Sequence, residues 1–301
     1  MPATTSTNSR LLVTGASGQL GRLVVHHLLH TLKVEPSRIV AGSRSPDKLA
    51  DLVALGVLSR RVDFNDVASV EAAAQGVERV LLISSDDLFG RLEAQKAAVK
   101  VFEAAGVKHI SYTSLQEADA SVVLVAEGHR QTEQAIRESK IQGHALLRNG
   151  LYFDNSIMNI AGASRSDQWL SAAKDGKIAA IARDDLARAA AYALASDSME
   201  RKMYELTGSE AFTTSEIAAQ ISETINKPIQ VVQVSPEDMA KGIAAITGMP
   251  DVVATIFASF DINTAAGLVA TVTDHYKQLT GADPQTHEAW LAANKAMLAA
   301  L

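Results

Sequence analysis

Two rhythms alternate along the first half of the chain. Short strand-like runs fall at Leu11–Val13, Ile39–Ala41, Arg61–Val62, Val80–Ile83, His109–Tyr112 and Ala145–Leu147. Between them, apolar residues recur at helical spacing over Leu20–Leu32, Lys48–Leu55, Ala68–Ala74, Leu92–Ala105 and Val122–Ser139. A short, nearly continuous apolar run suits a strand buried on both faces. Such runs separated by helices build βαβ units around a parallel sheet. Turn residues punctuate the pattern: Gly76 and Gly106 come just after helical stretches, where a left-handed residue is wanted, and Ser45-Pro46 supplies an N-cap followed by a first-turn Pro. The beat predicts an α/β fold, a Rossmann-type doubly wound parallel sheet of six strands.

After Gly150 the rhythm loosens. Lys177–Ile181 reads as a strand, then a helix over Arg183–Ala195 with Asp184 and Asp185 in its first turn, then a strand at Met203–Leu206. A helix runs from Thr213 to Ile225, Pro228–Val234 alternates like an exposed strand, Ser235-Pro236 opens another helix, and Thr286–Leu301 is an Ala/Leu helix. No internal repeat or low-complexity linker divides the chain. The expected organisation is a flexible terminus over 1–10, a sheet domain over 11–150, and a smaller α/β lobe over 151–301 that partly completes the sheet and lines the substrate pocket.

Composition removes whole classes of function. The 301 residues are 47% hydrophobic, enough for a sizeable core. With 28 basic and 34 acidic residues the formal charge is −6, so nothing points to nucleic acid. The absence of Cys excludes disulfides, zinc–thiolate and iron–sulfur sites and thiol nucleophiles, and fits a reducing compartment. No apolar run reaches the ~18 residues of a membrane span, and the polar stretch Met1–Arg10 lacks a signal core. A soluble, cytoplasmic protein is expected.

The strongest chemical signal is Thr14-Gly15-Ala16-Ser17-Gly18-Gln19-Leu20-Gly21, directly after the first strand and opening the first helix. Gly15 permits the tight turn, Gly18 lets backbone approach a pyrophosphate, and Gly21 lets the helix pack against the sheet, while the helix N-terminus offers amides and positive dipole. The spacing is GxxGxxG, so position in the chain carries the assignment. At the end of the second strand, where an NAD site wants Asp or Glu, stand Ser43 and Arg44, with Lys48 one turn on. A guanidinium suits the extra 2′-phosphate of NADP; the alternative is a solvated Arg at a helix start. Asp63 and Phe64 follow the third strand beside the adenine position, and Ser84, Ser85, Thr113 and Ser114 end the fourth and fifth strands, where ligands of parallel sheets lie.

None of the five tyrosines has a Lys four residues on, so the Tyr/Lys proton-delivery pair of many carbonyl reductases is missing. Three other residues have suitable chemistry. Asn149 follows the sixth strand, where its amide can bond a nicotinamide or an acceptor oxygen or simply form an Asn-Gly turn. Tyr152 is suited to donate a proton or line a pocket. His129 shares a helical face with Glu133, which would raise its pKa toward that of a general acid, unless the two are only a surface pair. Phe89 and Phe153 are candidate walls for a flat acceptor. His26, His27 and His30 cluster on the first helix, but nothing proposes the further ligands a metal needs, and no metal is expected.

The segments Thr14–Gly21, Leu81–Ser85, Ala105–Ser114, Glu127–Glu133 and Leu146–Gly150 resemble the NmrA-like, atypical short-chain dehydrogenase/reductase group, and within it the type 2 NAD(P)H:quinone oxidoreductases and triphenylmethane dye reductases. The resemblance implies a Rossmann domain with a small C-terminal lobe, NADPH as donor, and a nicotinamide near Arg148, Asn149, Gly150, Tyr152 and Phe153. Leu151 departs from the aromatic often found there. Two functions follow: a reductase passing hydride to a quinone, an activated ketone or imine, or a conjugated dye; or an NADP(H)-sensing regulator without turnover. The expected partners are a small planar acceptor and, at most, a second copy in a homodimer.

Overall fold

The computed structural model describes residues 9–85, 87 and 90–301; the candidate wall Phe89 and most of the expected flexible terminus lie outside the described residues. In chain order the sheet region comprises β1 (Arg10–Val13), α1 (Gln19–His26), β2 (Ile39–Ser43), α2 (Ala50–Ala54), β3 (Leu58–Arg61), α3 (Val67–Ala74), β4 (Val77–Leu82), α4 (Arg91–Ala104), β5 (His109–Leu115), α5 (Ala126–Glu138) and β6 (Gly143–Asn149). There follow α6 (Ser156–Ser166), β7 (Gln168–Ser171), β8 (Lys177–Ile178), α7 (Arg183–Ala195), β9 (Arg201–Leu206), β10 (Phe212–Thr213), α8 (Thr214–Ile225), β11 (Gln230–Gln233), α9 (Pro236–Thr247), α10 (Asp251–Ala265), α11 (His275–Thr280) and α12 (His287–Ala299).

The main sheet is parallel, with strand order β3-β2-β1-β4-β5-β6-β9. It has seven strands rather than six, because the Met203–Leu206 segment extends to Arg201 and pairs with β6. Period-two alternation sends successive side chains to opposite layers. Leu11, Val13, Leu81 and Leu147 face α1 and α7, whereas Leu12, Val80, Leu82 and Leu146 face α3, α4 and α5. Both layers are closed to water, and each fully buried Leu or Val contributes about 1.5–3 kcal/mol. The Ala-rich α7 can lie close against α1 because Ala187, Ala190 and Ala191 present only methyl groups. Its C-terminal carbonyls are capped by buried Arg79 of β4, which donates to Leu194 O (2.8 Å) and Ala193 O (3.3 Å). Burial lowers the Arg79 pKa to about 10, so it stays charged at neutral pH.

Several expected boundaries move. The Leu20–Leu32 helix changes to a π-turn at His27–Thr31, where His27 bonds Asp184 (3.1 Å) of α7. The Val122–Ser139 helix begins only at Ala126, and the Lys177–Ile181 strand shortens to β8. The rest of the latter segment runs beside Leu151–Phe153, with Ile181 N–H donating to Leu151 O and Phe153 N–H to Ile181 O. Helices α6, α10 and α11 carry no clear apolar stripe and were not anticipated. Among the described residues no helix is long and apolar enough to cross a membrane.

Candidate functional site

The loop after β1 is tied to both neighbouring strands: Thr14 N–H donates to Leu81 O (3.0 Å) and Ala16 N–H to Gly42 O (2.9 Å). Gly15 has φ +62°, a conformation an L side chain resists. At Gly21 a Cβ would fall 2.3 Å from Gly15 O and 2.8 Å from Ala16 Cα, so only hydrogen fits between helix and loop. Gly18 is the N-cap of α1 and brings no capping side chain, leaving the first-turn amides at Gln19 and Leu20 unpaired by side chains. This cradle suits a diphosphate. Ser17 shares a hydrogen bond with Ser43 (2.9 Å), joining the loop to the end of β2, where Arg44 and Lys48 are exposed. Arg22, which the sequence did not single out, bridges α1 to that turn through Asp51 (2.7 Å) and the Lys48 carbonyl.

The rest of the groove is sorted by strand parity. In register, Leu115 pairs with Asn149 and Ser114 with Arg148. Thr113 and Asn149 therefore share the layer of α1 and the glycine loop, while Ser114 and Arg148 face α5. Thr113 Oγ1 accepts from Ser84 N–H (2.8 Å). Asn149 Nδ2 donates to the Tyr152 hydroxyl (3.3 Å), and Asn149 Oδ1 is a buried acceptor with no partner among the described residues. The Tyr152 ring lies under Arg183, whose guanidinium carbon is 5.5 Å from its centroid. Burial raises the Tyr152 pKa, against the lowering effects of the Asn149 hydrogen bond and the Arg183 charge. The phenol thus stays protonated, accepts from Asn149, and keeps its own proton to give.

Other expected site residues are placed elsewhere. Arg148, proposed for the cofactor, is buried on the far face and spends its guanidinium on Glu133 (2.7 and 2.9 Å), Asp119 (2.7 Å) and Glu205 (3.2 Å). Burial alone would lower its pKa, but these carboxylates hold it above the ordinary value. Glu133 is thereby taken from His129, correcting the expected pair. His129 Nδ1 instead meets Tyr112 OH (2.9 Å), and burial pushes its pKa down to about 3, the opposite of what a general acid needs. Phe153 turns into the core of the second lobe, 4.9 Å from the His287 ring and 5.8 Å from that of Trp290. Thr14 Oγ1 is occupied by Leu81 O and Ile83 N–H, so it braces the strand ends. Asp63 closes its own turn by accepting from Asn65 N–H and Arg61, and Phe64 packs beside the α3–α4 core. The His26 and His30 rings lie 4.6 Å apart, tilted by 46°, and among the described residues no three metal-ligating side chains converge.

Residues 7–291 match the NmrA-like family. The chain belongs to that family. It is 38% identical over 257 residues to quinone oxidoreductase 2 of Escherichia coli, covering 85% of this chain and 88% of that protein. Its fold superposes on the crystal structure of the E. coli NADPH-dependent quinone oxidoreductase complexed with NADPH, with TM-score 0.89 and 35% identity over 94% of this chain and 99% of that one. A similar match is the Citrobacter triphenylmethane reductase complexed with NADP(H), with TM-score 0.86 and 32% identity over 94% and 99% of the two chains. The glycine-loop cradle of this NmrA-like chain suits a dinucleotide. Its narrowest point admits backbone only, and its rim carries cations and an unpaired amide acceptor.

Proposed function

We infer that this NmrA-like protein is an NADPH-dependent reductase whose acceptor is a flat conjugated molecule of the quinone class. Gly15, Gly18 and the first turn of α1 would hold the diphosphate, and Arg44 with Lys48 the 2′-phosphate. When bound, NADPH supplies a hydride to the acceptor. The observation that carries the reading is the Asn149–Tyr152 pair on the glycine-loop side of β6: a buried open acceptor beside a phenol with a proton to give. A conjugated acceptor delocalises the incoming electrons itself, so the chain need only orient it, exclude water and protonate one oxygen. That explains how the site dispenses with a Tyr/Lys pair.

The test is the decay of NADPH absorbance with a simple quinone and with a cationic triphenylmethane dye. Tyr152→Phe should lower kcat for the quinone by roughly 10²-fold while leaving NADPH affinity and the dye rate within about threefold, since a cationic dye needs no proton. Arg44→Ala should weaken NADPH by about 1.5–3 kcal/mol in calorimetry and leave NADH unchanged. Tight NADPH binding without turnover across a panel of quinones, ketones, imines and dyes would instead favour the sensing regulator.

A further inference from the structure

Beyond its last paired residue, β4 continues as Ile83–Ser85, and three consecutive amides there are each taken by a buried side chain from a different element. Thr14 Oγ1 of the glycine loop accepts from Ile83 N–H (2.9 Å), Thr113 Oγ1 of β5 from Ser84 N–H (2.8 Å), and Gln95 Oε1 of α4 from Ser85 N–H (2.9 Å). The segment adjoins the cradle, since a Cβ on Gly15 would touch the Ile83 side chain at 3.6 Å.

Gln95 is wholly buried, and its carboxamide has one workable orientation. Its Nε2 donates to Thr132 Oγ1 (3.0 Å) and to Tyr112 OH (3.4 Å). Thr132 has committed its own proton to Gly128 O (2.7 Å), and Tyr112 OH shares a hydrogen bond with His129 Nδ1 (2.9 Å). Thr132 can only accept from Gln95 and Ser85 N–H can only donate to it, so the amide NH₂ must face Thr132 and the carbonyl must face Ser85. A flipped carboxamide would set oxygen against oxygen and leave a buried amide unpaired.

We propose that Gln95 is a positioning residue for the cofactor groove, with Tyr112 and His129 holding its carboxamide in register so that Ser85 N–H stays turned inward. None of the three touches a reacting atom. They act through the backbone of Ser84 and Ser85. The proposal rests on the reading of the chain as an NADPH-binding reductase.

Gln95→Met keeps length and volume but removes the acceptor, whereas Gln95→Glu, kept protonated by burial, keeps an oxygen for Ser85 and an O–H for Thr132. Three readouts apply: amide hydrogen exchange without cofactor, NADPH affinity by calorimetry, and steady-state kinetics with a quinone. In Gln95→Met, exchange at Ser85 should rise about tenfold and the NADPH dissociation constant should rise by a similar factor, the cost of one hydrogen bond, with the quinone KM unchanged. Exchange at Ile83 and Ser84, whose acceptors remain, should stay as in wild type. Gln95→Glu should restore NADPH affinity to within about threefold of wild type, and Tyr112→Phe should loosen Ser85 by a smaller factor than Gln95→Met. Should Gln95→Met not fold, the Tyr112→Phe exchange pattern and the Gln95→Glu affinity decide. Unchanged NADPH affinity in a folded Gln95→Met, equal weakening in Met and Glu variants, or all three amides accelerating together would overturn the assignment. Failure of the wild-type protein to bind NADPH would instead overturn the functional reading.

Discussion

The main sheet (β9 included) with its covering helices (α7 included) and the lobe built from the rest of residues 151–301 hold their shape by different means. In the first region the strands are apolar on both faces, and Leu, Val and Ile from adjacent strands fill two continuous layers. In the second, a smaller cluster around Phe153, Trp169, Ile217 and Trp290 is supplemented by polar side chains of α10 that bind loop backbone. Asp261 accepts from Ala172 N–H (2.7 Å) and Ser171 Oγ (2.9 Å), Asn263 from Val122 N–H (2.9 Å) and Ser121 Oγ (3.1 Å), and Ser259 from Leu124 N–H (3.2 Å). Loss of a core side chain weakens a whole layer, whereas loss of a strap hydrogen bond frees one loop. The glycine loop belongs to the sheet layer, and the Leu151–Phe153 segment beyond β6 is held by backbone bonds to Ile181.

Within the sheet region, Arg148 joins α5 and the 116–120 segment to β9. Arg148→Met should give the largest effect, about 3–5 kcal/mol of lost stability in urea unfolding, by leaving buried Glu205 without its cation and buried Glu133 with half-exposed Arg137 alone. Adding Glu133→Gln should recover part of it. Asn263→Ala comes next: about 1–3 kcal/mol, with faster hydrogen exchange confined to the 121–124 segment. Equal acceleration throughout β1–β6 would show that the two regimes are one.

Acid should act mainly on the sheet region. Burial holds His109, His129 and His144 down at about 3, 3 and 4, with His287 of the lobe at about 4, against an ordinary value of 6.5. The unfolded chain then binds protons that the folded chain refuses between pH 6.5 and about 4, so stability falls as pH falls through that window. The slope is at most about 1.4 kcal/mol per pH unit for each histidine. Urea midpoints at pH 7 and pH 5 measure the sum, and His109→Gln should flatten it by roughly one histidine's share.

The glycine loop, its helix and the order of strands were legible because each depends on residues adjacent in the chain. Asn149 and Tyr152, each a candidate on its own chemistry, lie three apart at the end of β6 and are joined by a hydrogen bond. His129, Arg148 and Phe153 were misplaced because their partners Tyr112, Glu205, His287 and Trp290 come from distant segments. One signal was available: adjacent residues on a strand face opposite layers, so Arg148 and Asn149 could not both line the groove. Gln95 gave none, a polar residue within an ordinary helical stretch.

Period and turn chemistry along the sequence determined the parallel sheet, its Rossmann connectivity and the backbone cradle, since these follow from local sterics and alternating burial. Tertiary structure alone decided that the strand at Met203–Leu206 pairs with β6, the straps of α10, and which ionisable groups stay charged. Those outcomes depend on which side chains share a dry interior, and a buried proton or ion pair is settled by neighbours that the chain brings together only on folding.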